Sequence, residues 1–476
     1  MSRRHRHIEP FAVQITALRP GSLGFGEHEG APVVVRGAPP GAVVIAQPFK
    51  KKDGVLHARR GALVQAPPDA VAPRCALFTL CGGCSLQEIP LGPQRAAKQA
   101  MVEALLGDLS GVSVSPVAGE PEGYAYRNKV ELSFGARRYV SEADRAAGAP
   151  DEGRFLGFHA PGRFDKVVDA PRCELVSEGL NTLIQSARAL LERSALPPWD
   201  AKALQGFWRH LVLRESWAGG RLVAIYTSTP PEGQEAVAEA ELRAWAEGLP
   251  QDVVAAWYVN PRTGDAAVGE LRAALKGEPT LIERIGEVAF RLSPTAFFQT
   301  NTPAARALYE RVGEALGLVP GARRDARLVD LYCGAGAIGL SLASRVREVL
   351  GVELNAEAVN DARVNAALNN IPATFIAGAV EDVLPALRPD DLAVVDPPRA
   401  GLHPKASAWL AKQRCAALVY VACNPESLAR DRQLLAAGGW RLTALWGVDL
   451  FPQTGHVELV ARFERVDQAG QPLEAE

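Results

Sequence analysis

The 476-residue sequence lacks the features that define several common classes of protein. No apolar run reaches the roughly 18–20 residues that a membrane-spanning helix needs, so a membrane protein is not expected. The first residues, Met1–His7, are charged, and no apolar segment follows them as it would in a secretory signal. We therefore expect a cytoplasmic protein, most simply a monomer, with no membrane contact.

The chain also has little net charge, −2 at pH 7, but the charge is unevenly distributed. Residues 1–66 contain ten Lys and Arg against four acidic residues, a local charge of +6. A basic segment on an otherwise acidic chain is typical of contact with a phosphate backbone. A tail that only improves solubility is the alternative interpretation.

No internal repeat is present, and the length favours two to four domains. Residues 1–66 are short apolar stretches separated by Gly and Pro, which predicts a small β-barrel. Residues 67–290 have a mixed pattern that predicts an α+β domain. Residues 291–466 alternate strand and helix regularly, which predicts an α/β domain with a doubly wound parallel sheet. The polar residues 467–476 are expected to be disordered.

Disulfides are not expected among the seven cysteines of a cytoplasmic chain. Cys75, Cys81 and Cys84 lie close together in sequence, and Cys173 is a remote fourth, a grouping that points to metal. Zinc takes four thiolates but usually as two CxxC pairs, and only one such pair is present. An iron–sulfur cluster accepts one tight group and one remote cysteine. From the residues alone, both metals remain open.

A glycine-rich turn follows the apolar strand predicted at Leu328–Tyr332. Gly334 and Gly336 would let the backbone approach a ligand at the start of the next helix. The following strand ends in Glu353, an acid placed to accept hydrogen bonds from ribose hydroxyls. A nicotinamide dinucleotide and S-adenosylmethionine both fit this pattern. The helix predicted before the turn favours S-adenosylmethionine, since dinucleotide folds usually open with the turn.

Three further residues carry possible chemistry near strand ends. Asp396 begins Asp-Pro-Pro-Arg after one core strand, and Cys423 begins Cys-Asn-Pro after the next. Ligands bind at this edge of an open α/β sheet. A thiolate can add to C6 of a uracil and so activate C5 towards a methyl donor. Glu458, in His-Val-Glu, is a candidate base for removing the C5 proton, although a surface strand acid is the simpler interpretation.

Together these motifs resemble the RNA 5-methyluridine methyltransferase family over about 180 residues. The matching segments are Phe298–Asn301, Asp330–Gly336, Asp396–Arg399, Cys423–Pro425 and His456–Glu458. The resemblance implies a Rossmann-like methyltransferase domain in which Cys423 is the nucleophile and Glu458 the base. It also implies that S-adenosylmethionine or the target base contacts four side chains, those of Gln299, Tyr332, Glu353 and Asp396.

The N-terminal part resembles this family too. The basic barrel is similar to the OB-like TRAM domain, an RNA-binding module, and Cys-Gly-Gly-Cys-Ser-Leu-Gln at 81–87 is similar to the branch with a [4Fe–4S] cluster. That branch implies Cys75, Cys81, Cys84 and Cys173 as ligands and 23S rRNA as the substrate. The segment Tyr124–Lys129 also matches, and its cations and aromatics predict contact with RNA.

The sequence departs from the family pattern at Ala337, where Asn is common, and at Ala422, where Ser is frequent. The first change implies one lost polar contact to the cofactor. Cytosine C5 methylation is disfavoured because no Pro-Cys motif is present, and adenine N6 methylation because Arg399 replaces the aromatic residue after the diproline. The remaining alternatives are 5-methyluridine formation in tRNA and a non-catalytic iron–sulfur RNA-binding protein.

Overall fold

The computed structural model describes residues 8–466, so the predicted tail at 467–476 and the arginines at 3, 4 and 6 lie outside the described residues. A six-stranded sheet comes first, with strands in the order β1-β5-β6-β4-β3-β2. Its strands are β1 (Phe11–Gln14), β2 (Ala17–Arg19), β3 (Leu23–His28), β4 (Ala31–Arg36), β5 (Val43–Lys52) and β6 (Val55–Gln65). Val44 and Ala46 alternate with exposed or half-exposed neighbours along β5, so one face of this sheet forms its own core.

The second sheet has seven strands in the order β10-β9-β8-β11-β12-β13-β14. This part of the chain contains α1 (Leu91–Leu106), β7 (Ser113–Ala118), β8 (Lys129–Arg137), α2 (Glu142–Ala146), β9 (Glu152–His159), β10 (Val167–Asp169), α3 (Glu178–Arg193), β11 (Trp208–Glu215), β12 (Arg221–Thr227), α4 (Glu235–Glu247), β13 (Val253–Val259) and β14 (Glu270–Lys276). Ser177 caps α3 by accepting the Leu180 N–H at 3.1 Å. The apolar sides of α3 and α4 cover one face of the sheet, through Leu183 and Trp245 among others.

A β15–β16 hairpin precedes the third sheet, which has eight strands in the order β19-β18-β17-β20-β21-β23-β22-β7. The elements are β15 (Leu281–Ile285), β16 (Val288–Leu292), α5 (Thr302–Ala315), β17 (Arg327–Leu331), α6 (Ala337–Leu342), a 3-10 turn (Ala343–Arg345), β18 (Glu348–Glu353), α7 (Ala356–Leu368), β19 (Ala373–Ala377), α8 (Val380–Val383), β20 (Leu392–Val395), α9 (Pro404–Leu410), β21 (Ala417–Ala422), α10 (Pro425–Ala437), β22 (Trp440–Val448) and β23 (Glu458–Arg465).

Strands β17 to β21 of this sheet are parallel, and β23 runs antiparallel to β21. Consecutive residues of β21 enter two different cores: Leu418 packs on one face of the sheet and Val419 on the other. Because helices cover both faces, the central strands are continuously apolar instead of alternating. The predicted Rossmann-like α/β fold is confirmed for this part of the chain.

Strand β7 was not predicted, and it joins a sheet far from its position in sequence. It pairs in parallel with β22, with Leu445 opposite Val114, and α1 packs its Met101 and Val102 into the same core. Part of the 67–290 segment therefore belongs structurally to the C-terminal sheet, while the division of the chain at residues 66 and 290 stays a prediction. Within residues 8–466, no helix is both long and apolar enough to span a bilayer.

Candidate active site

The glycine-rich turn between β17 and α6 is tightly wound. The N–H groups of Tyr332 and Cys333 both donate to the Val352 carbonyl, at 2.9 and 3.1 Å. Gly334 and Gly336 have positive φ angles, 53° and 80°, which glycine adopts without a steric penalty. Both predicted glycines therefore shape the backbone at the carboxyl edge of the sheet.

Glu353 lies at the end of the neighbouring strand β18 and holds this turn in place. Its Oε2 accepts the Gly334 N–H at 3.1 Å, and its Oε1 accepts the Asn355 N–H at 2.7 Å. A carboxylate offers about four lone-pair positions, so each oxygen can still accept one more hydrogen bond. Glu353 can thus serve both the turn and a ligand with two hydroxyls.

Asp330 lies beneath the turn. In the sequence it is part of the glycine-rich motif, and no role of its own was predicted for it. It is fully buried, and its Oδ2 accepts the Gly339 N–H at 2.9 Å. Burial, with a smaller contribution from the nearby carboxylates Asp396 and Glu353, raises the pKa of this carboxyl to about 7. The side chain acts on the backbone of α6 and does not reach the open edge.

The structure brings Asp396, Cys423 and Glu458 together at that edge. The Asp396 N–H bonds to the Leu331 carbonyl at 3.1 Å, which joins the ends of β17 and β20. Ala422 at the end of β21 pairs with Leu459 near the start of β23. Cys423 and Glu458 are the next residues in that register, so the two side chains are neighbours.

The charges at this edge act on one another. Burial raises the pKa of the Cys423 thiol to about 11, and the Glu458 and Asp396 carboxylates contribute to that rise. The pKa of Glu458 lies well above its ordinary value because of burial and then repulsion by Asp396. Arg399 opposes both of these effects, although it is exposed at the surface. From the sequence, Arg399 was only a reason to disfavour adenine as the target. Its effect on the pKa values of Cys423 and Glu458 is visible only in the folded protein.

Tyr309 on α5 is a second residue whose place at the site has no signal in the sequence. It is buried, and its pKa is raised by burial and then by Asp396, Asp330 and Glu458, so the ring lies among the carboxylates. In sequence it looks like an ordinary apolar residue of an amphipathic helix. No motif indicates that its helix packs beneath the active edge.

Gln299 lies in a segment before α5 that other parts of the chain hold firmly. Asn128 donates to the Gln299 carbonyl at 3.0 Å, and the buried Arg214 donates to the Pro294 carbonyl at 3.1 Å. Asn301 caps α5 and donates to the Leu450 carbonyl at 3.0 Å. The side chain of Gln299 stays partly exposed, and its predicted role towards the cofactor remains a prediction.

The four predicted ligand cysteines lie together around one cavity of about 100 Å³, which Cys75, Cys81, Cys84 and Cys173 all line. Burial raises the pKa of Cys81 to about 11 and that of Cys84 to about 12. Repulsion from the other cysteines acts in the same direction on both thiols. Cys333 is buried in one core of the C-terminal sheet, and Cys415 packs against the other.

Arg127, in the Tyr124–Lys129 segment, lines the same cavity. Its charge lowers the pKa of Cys81 and Cys173, against the effect of burial. Tyr126 is buried, and its hydroxyl donates to the Pro452 carbonyl at 3.1 Å. For Tyr126 the predicted contact with RNA is therefore wrong, because tertiary packing buries its ring. For the rest of the segment that contact stays a prediction.

Within the described range 8–466, no group of three or more His, Cys, Asp or Glu residues is arranged to hold a metal ion. One tetrahedral zinc binds its sulfurs at about 2.3 Å, so the sulfurs would converge on a single point. The four cysteines line one cavity. Because the described range contains no group arranged for a metal ion, the arrangement supports neither zinc nor a [4Fe–4S] cluster, and the cluster stays a prediction.

Comparison with known proteins assigns the family. A family model described as tRNA (Uracil-5-)-methyltransferase matches residues 281–388 and 390–466. An RNA methyltransferase of Chlorobaculum tepidum, itself called uncharacterized, is 37% identical over 480 residues, covering 98% of this chain and 98% of that protein. One from Clostridium tetani is 31% identical and covers 97% of this chain and 99% of its own.

A solved structure agrees over nearly the whole length. The tRNA (uracil-54, C5)-methyltransferase of Pyrococcus abyssi, in complex with S-adenosyl-L-homocysteine, is 27% identical with a TM-score of 0.73. The match covers 95% of this chain and 100% of that one. With these relatives and the geometry of the strand-end edge, the chain belongs to the uracil-5-methyltransferase family of RNA methyltransferases.

Proposed function

We propose that the protein transfers a methyl group from S-adenosylmethionine to C5 of a uridine in RNA. The observation that carries this proposal is the adjacency of Cys423 and Glu458 across β21 and β23. A nucleophile and a base beside the same edge serve the two halves of one reaction, attack on C6 and loss of the C5 proton.

In the first half, the Cys423 sulfur forms a bond to C6 of the uracil. The C5–C6 π electrons move towards C5 and the C4 oxygen, which makes C5 nucleophilic. A thiol with a pKa of about 11 is mostly protonated at neutral pH, so it must lose its proton before it attacks as a thiolate. Arg399 favours the thiolate, because it lowers the pKa of Cys423.

When bound, S-adenosylmethionine supplies an electrophilic methyl group for C5. Four residues suit its binding: the free lone pairs of Glu353 accept ribose hydroxyls, the turn at Gly334 and Gly336 admits close approach, and Tyr332 begins that turn. Gln299 and Asp396 complete the proposed set from the neighbouring segments. The Pyrococcus abyssi enzyme, which binds the demethylated product of this cofactor, supports the assignment.

In the second half, Glu458 removes the proton from C5. The electron pair of that C–H bond re-forms the C5–C6 double bond, and the S–C6 bond breaks to return Cys423. A carboxylate whose pKa is raised by burial and by Asp396 is a stronger base than an exposed one.

The N-terminal sheet is proposed to be a TRAM-like RNA-binding module of the OB type. Its β5–β6 hairpin exposes Lys50, Lys51 and Lys52, and Arg59 lies over the Phe49 ring at 5.7 Å. Phe49 is 53% exposed, unlike a core phenylalanine. Cations beside an exposed ring suit phosphates and an unpaired base.

The cysteine cavity is proposed to hold a [4Fe–4S] cluster. Four thiols surround one cavity, and Arg127 supplies positive charge beside it. Gln87 Nε2 and Arg127 Nε are buried donors that find no acceptor within residues 8–466, and both residues line the cavity. Such donors suit a negatively charged group with sulfide acceptors. Cys75, Cys81, Cys84 and Cys173 would hold the cluster through their sulfurs.

We propose 23S rRNA as the substrate, with tRNA as the second candidate. The tRNA enzyme from Pyrococcus abyssi matches 95% of the chain, so the architecture by itself does not exclude tRNA. Mapping 5-methyluridine in rRNA and tRNA, from cells with and without the gene, decides between them. Loss from neither RNA would contradict the proposed substrates.

The mechanism is tested with RNA that contains 5-fluorouridine. A fluorine at C5 cannot leave as a proton does, so the protein should stay covalently bound after methyl transfer. Wild type and Cys415→Ala should form a denaturation-resistant complex in the presence of S-adenosylmethionine, and Cys423→Ala should form none. An equal yield from Cys423→Ala would remove Cys423 from the nucleophile role.

A further inference from the structure

Glu458 follows directly on the 449–457 loop, which connects β22 to β23. We propose that Gln94, on α1, is a positioning residue for Glu458: its amide locks the loop at Gln453 and so aims the base. The inference rests on the proposed function, because it assumes that Glu458 takes the C5 proton. It assigns a positioning role in catalysis to a helix far from the glycine-rich turn.

The contact between Gln94 and Gln453 is reciprocal. Oε1 of Gln94 accepts the Gln453 N–H at 2.9 Å, and Nε2 of Gln94 donates to Oε1 of Gln453 at 2.9 Å. Nε2 also lies 2.8 Å from the Ile89 carbonyl and 3.1 Å from the Leu86 carbonyl. Both glutamines are buried, so water cannot replace these bonds.

Gln453 needs such support because its backbone is in the left-handed region, with φ of 68°. A residue with a side chain adopts that conformation only where surrounding contacts over-determine it. The Gln453 carbonyl accepts the N–H groups of Ser85 and Leu86 at 2.8 and 3.1 Å. Gln453 is therefore held through its side chain, its N–H and its carbonyl together.

The same helix also holds the start of the loop. Lys98 and Asp449 are both completely buried, and Nζ of Lys98 lies 2.5 Å from Oδ1 of Asp449. Nζ also donates to the Phe451 carbonyl at 3.1 Å, and Arg95 Nε lies 3.1 Å from Oδ2 of Asp449. One face of α1 thus fixes the loop near its beginning and at Gln453, five residues before the base.

Only an amide can make the Gln94 contacts, since it carries donors and an acceptor at one end. Replacement by Leu keeps a similar volume but frees Gln453 from half of its restraints. The loop would then relax towards an ordinary φ, and Glu458 would move relative to Cys423. Cys423 follows β21 and not the 449–457 loop, so the loss of the Gln94 contacts leaves the nucleophile in place. Glu458 raises the pKa of Cys423, so moving this carboxylate away does not hinder formation of the thiolate.

The test measures two steps separately in Gln94→Leu: attack of Cys423 on the uracil, and release of the methylated RNA from Cys423. With 5-fluorouridine RNA, which reports attack and methyl transfer, the variant should form the covalent complex at close to the wild-type rate. With natural RNA, release should slow on the order of tenfold, as expected for a misplaced group. The methylated covalent intermediate should accumulate, and a primary isotope effect should appear when deuterium replaces the C5 hydrogen.

Gln99→Leu is the matched control, since Gln99 lies on the same helix and bonds to Glu103 and Val117 instead of the loop. It should show wild-type release and no added isotope effect. If Gln94→Leu does not fold, Gln453→Ala gives the same test, because it removes the side-chain bond to Gln94 and keeps a residue that is strained in the left-handed region.

The inference is wrong if Gln94→Leu shows the same isotope effect and the same amount of covalent intermediate as Gln99→Leu. Glu458→Gln in the same assay distinguishes this from failure of the proposed function. If that variant accumulates the intermediate while Gln94→Leu does not, only the positioning role falls. If neither wild type nor any variant forms the 5-fluorouridine complex, the proposed function falls as well.

Discussion

Cys423 and Glu458 lie side by side because the register of β21 and β23 pairs Ala422 with Leu459. They are 35 positions apart in the sequence, and an antiparallel strand inserted beside a parallel sheet brings them together. The same contact raises the pKa of the Cys423 thiol, because the carboxylate opposes formation of the thiolate. The nucleophile and the base therefore influence each other before any RNA binds.

Replacing Glu458 by Gln should separate methyl transfer from release. The amide cannot accept the C5 proton, so the methylated RNA should stay attached to Cys423, and turnover should fall roughly 10²–10⁴-fold. Denaturing electrophoresis of labelled natural RNA measures the attached fraction. Glu464→Gln, on the same strand and paired with Arg462, is the control and should turn over normally. Fast turnover by Glu458→Gln would exclude it as the base.

Removing the charge of Arg399 should make attack depend on higher pH. Arg399 lowers the pKa of Cys423, so Arg399→Met should raise that pKa and move the pH profile of adduct formation upwards. At a pH below the pKa of the thiol, raising that pKa by about 1 reduces the thiolate fraction about tenfold. Rates of complex formation with 5-fluorouridine RNA across a pH series measure the effect. Arg399→Lys keeps the charge and should stay near wild type; a profile unchanged in Arg399→Met would contradict the electrostatic role.

The buried Asp330 should make stability depend on pH. Its pKa in the fold is about 7, above the ordinary value of 3.8, so the folded state binds the proton more tightly than the unfolded state. Its contribution to stability is fully present below about pH 4 and is lost as the pH rises through 7. The difference between the two pKa values sets an upper limit of about 4 kcal/mol on the contribution of Asp330 to the free energy of unfolding.

Asp330→Asn should therefore gain stability relative to wild type at pH 8 and lose that advantage at pH 4, since the amide oxygen can still accept the Gly339 N–H. Urea unfolding at both pH values measures this difference. Asp325→Asn is the control, because Asp325 is 84% exposed and pairs only at the surface with Arg347. Equal responses of the two variants would show that burial of Asp330 does not set the dependence.

The proposed cluster makes iron content depend on Cys173. Protein purified without oxygen should carry iron and acid-labile sulfide in equal amounts, with visible charge-transfer absorbance. Cys173→Ser should lose most of both, because it removes one of the four thiols around the cavity. Cys415→Ser should keep them, since Cys415 packs against a different core. Loss of iron from both variants, or zinc in place of iron, would contradict the cluster.

The regular elements of the C-terminal sheet were well predicted from the sequence. The strand predicted at Leu328–Tyr332 is Arg327–Leu331 in the structure, and the helix predicted before the glycine-rich turn is Thr302–Ala315. Parallel strands that are buried on both faces leave continuous apolar runs, which are easy to recognise. Strand β7 was missed because it pairs with β22, more than 300 residues later.

The sequence alone determined the chemistry that is available at the candidate site. A glycine turn, an acid after the next strand, a thiol before Asn-Pro and four grouped cysteines could be found, because motif residues follow strand ends at recognisable spacings. Only the tertiary structure decided which side chains meet. It turned Tyr126 inward, placed Arg127 on the cysteine cavity, and brought Gln94 against Gln453. Such contacts depend on how distant segments pack and on which polar groups must be satisfied once water is excluded, and neither leaves a local pattern in the sequence.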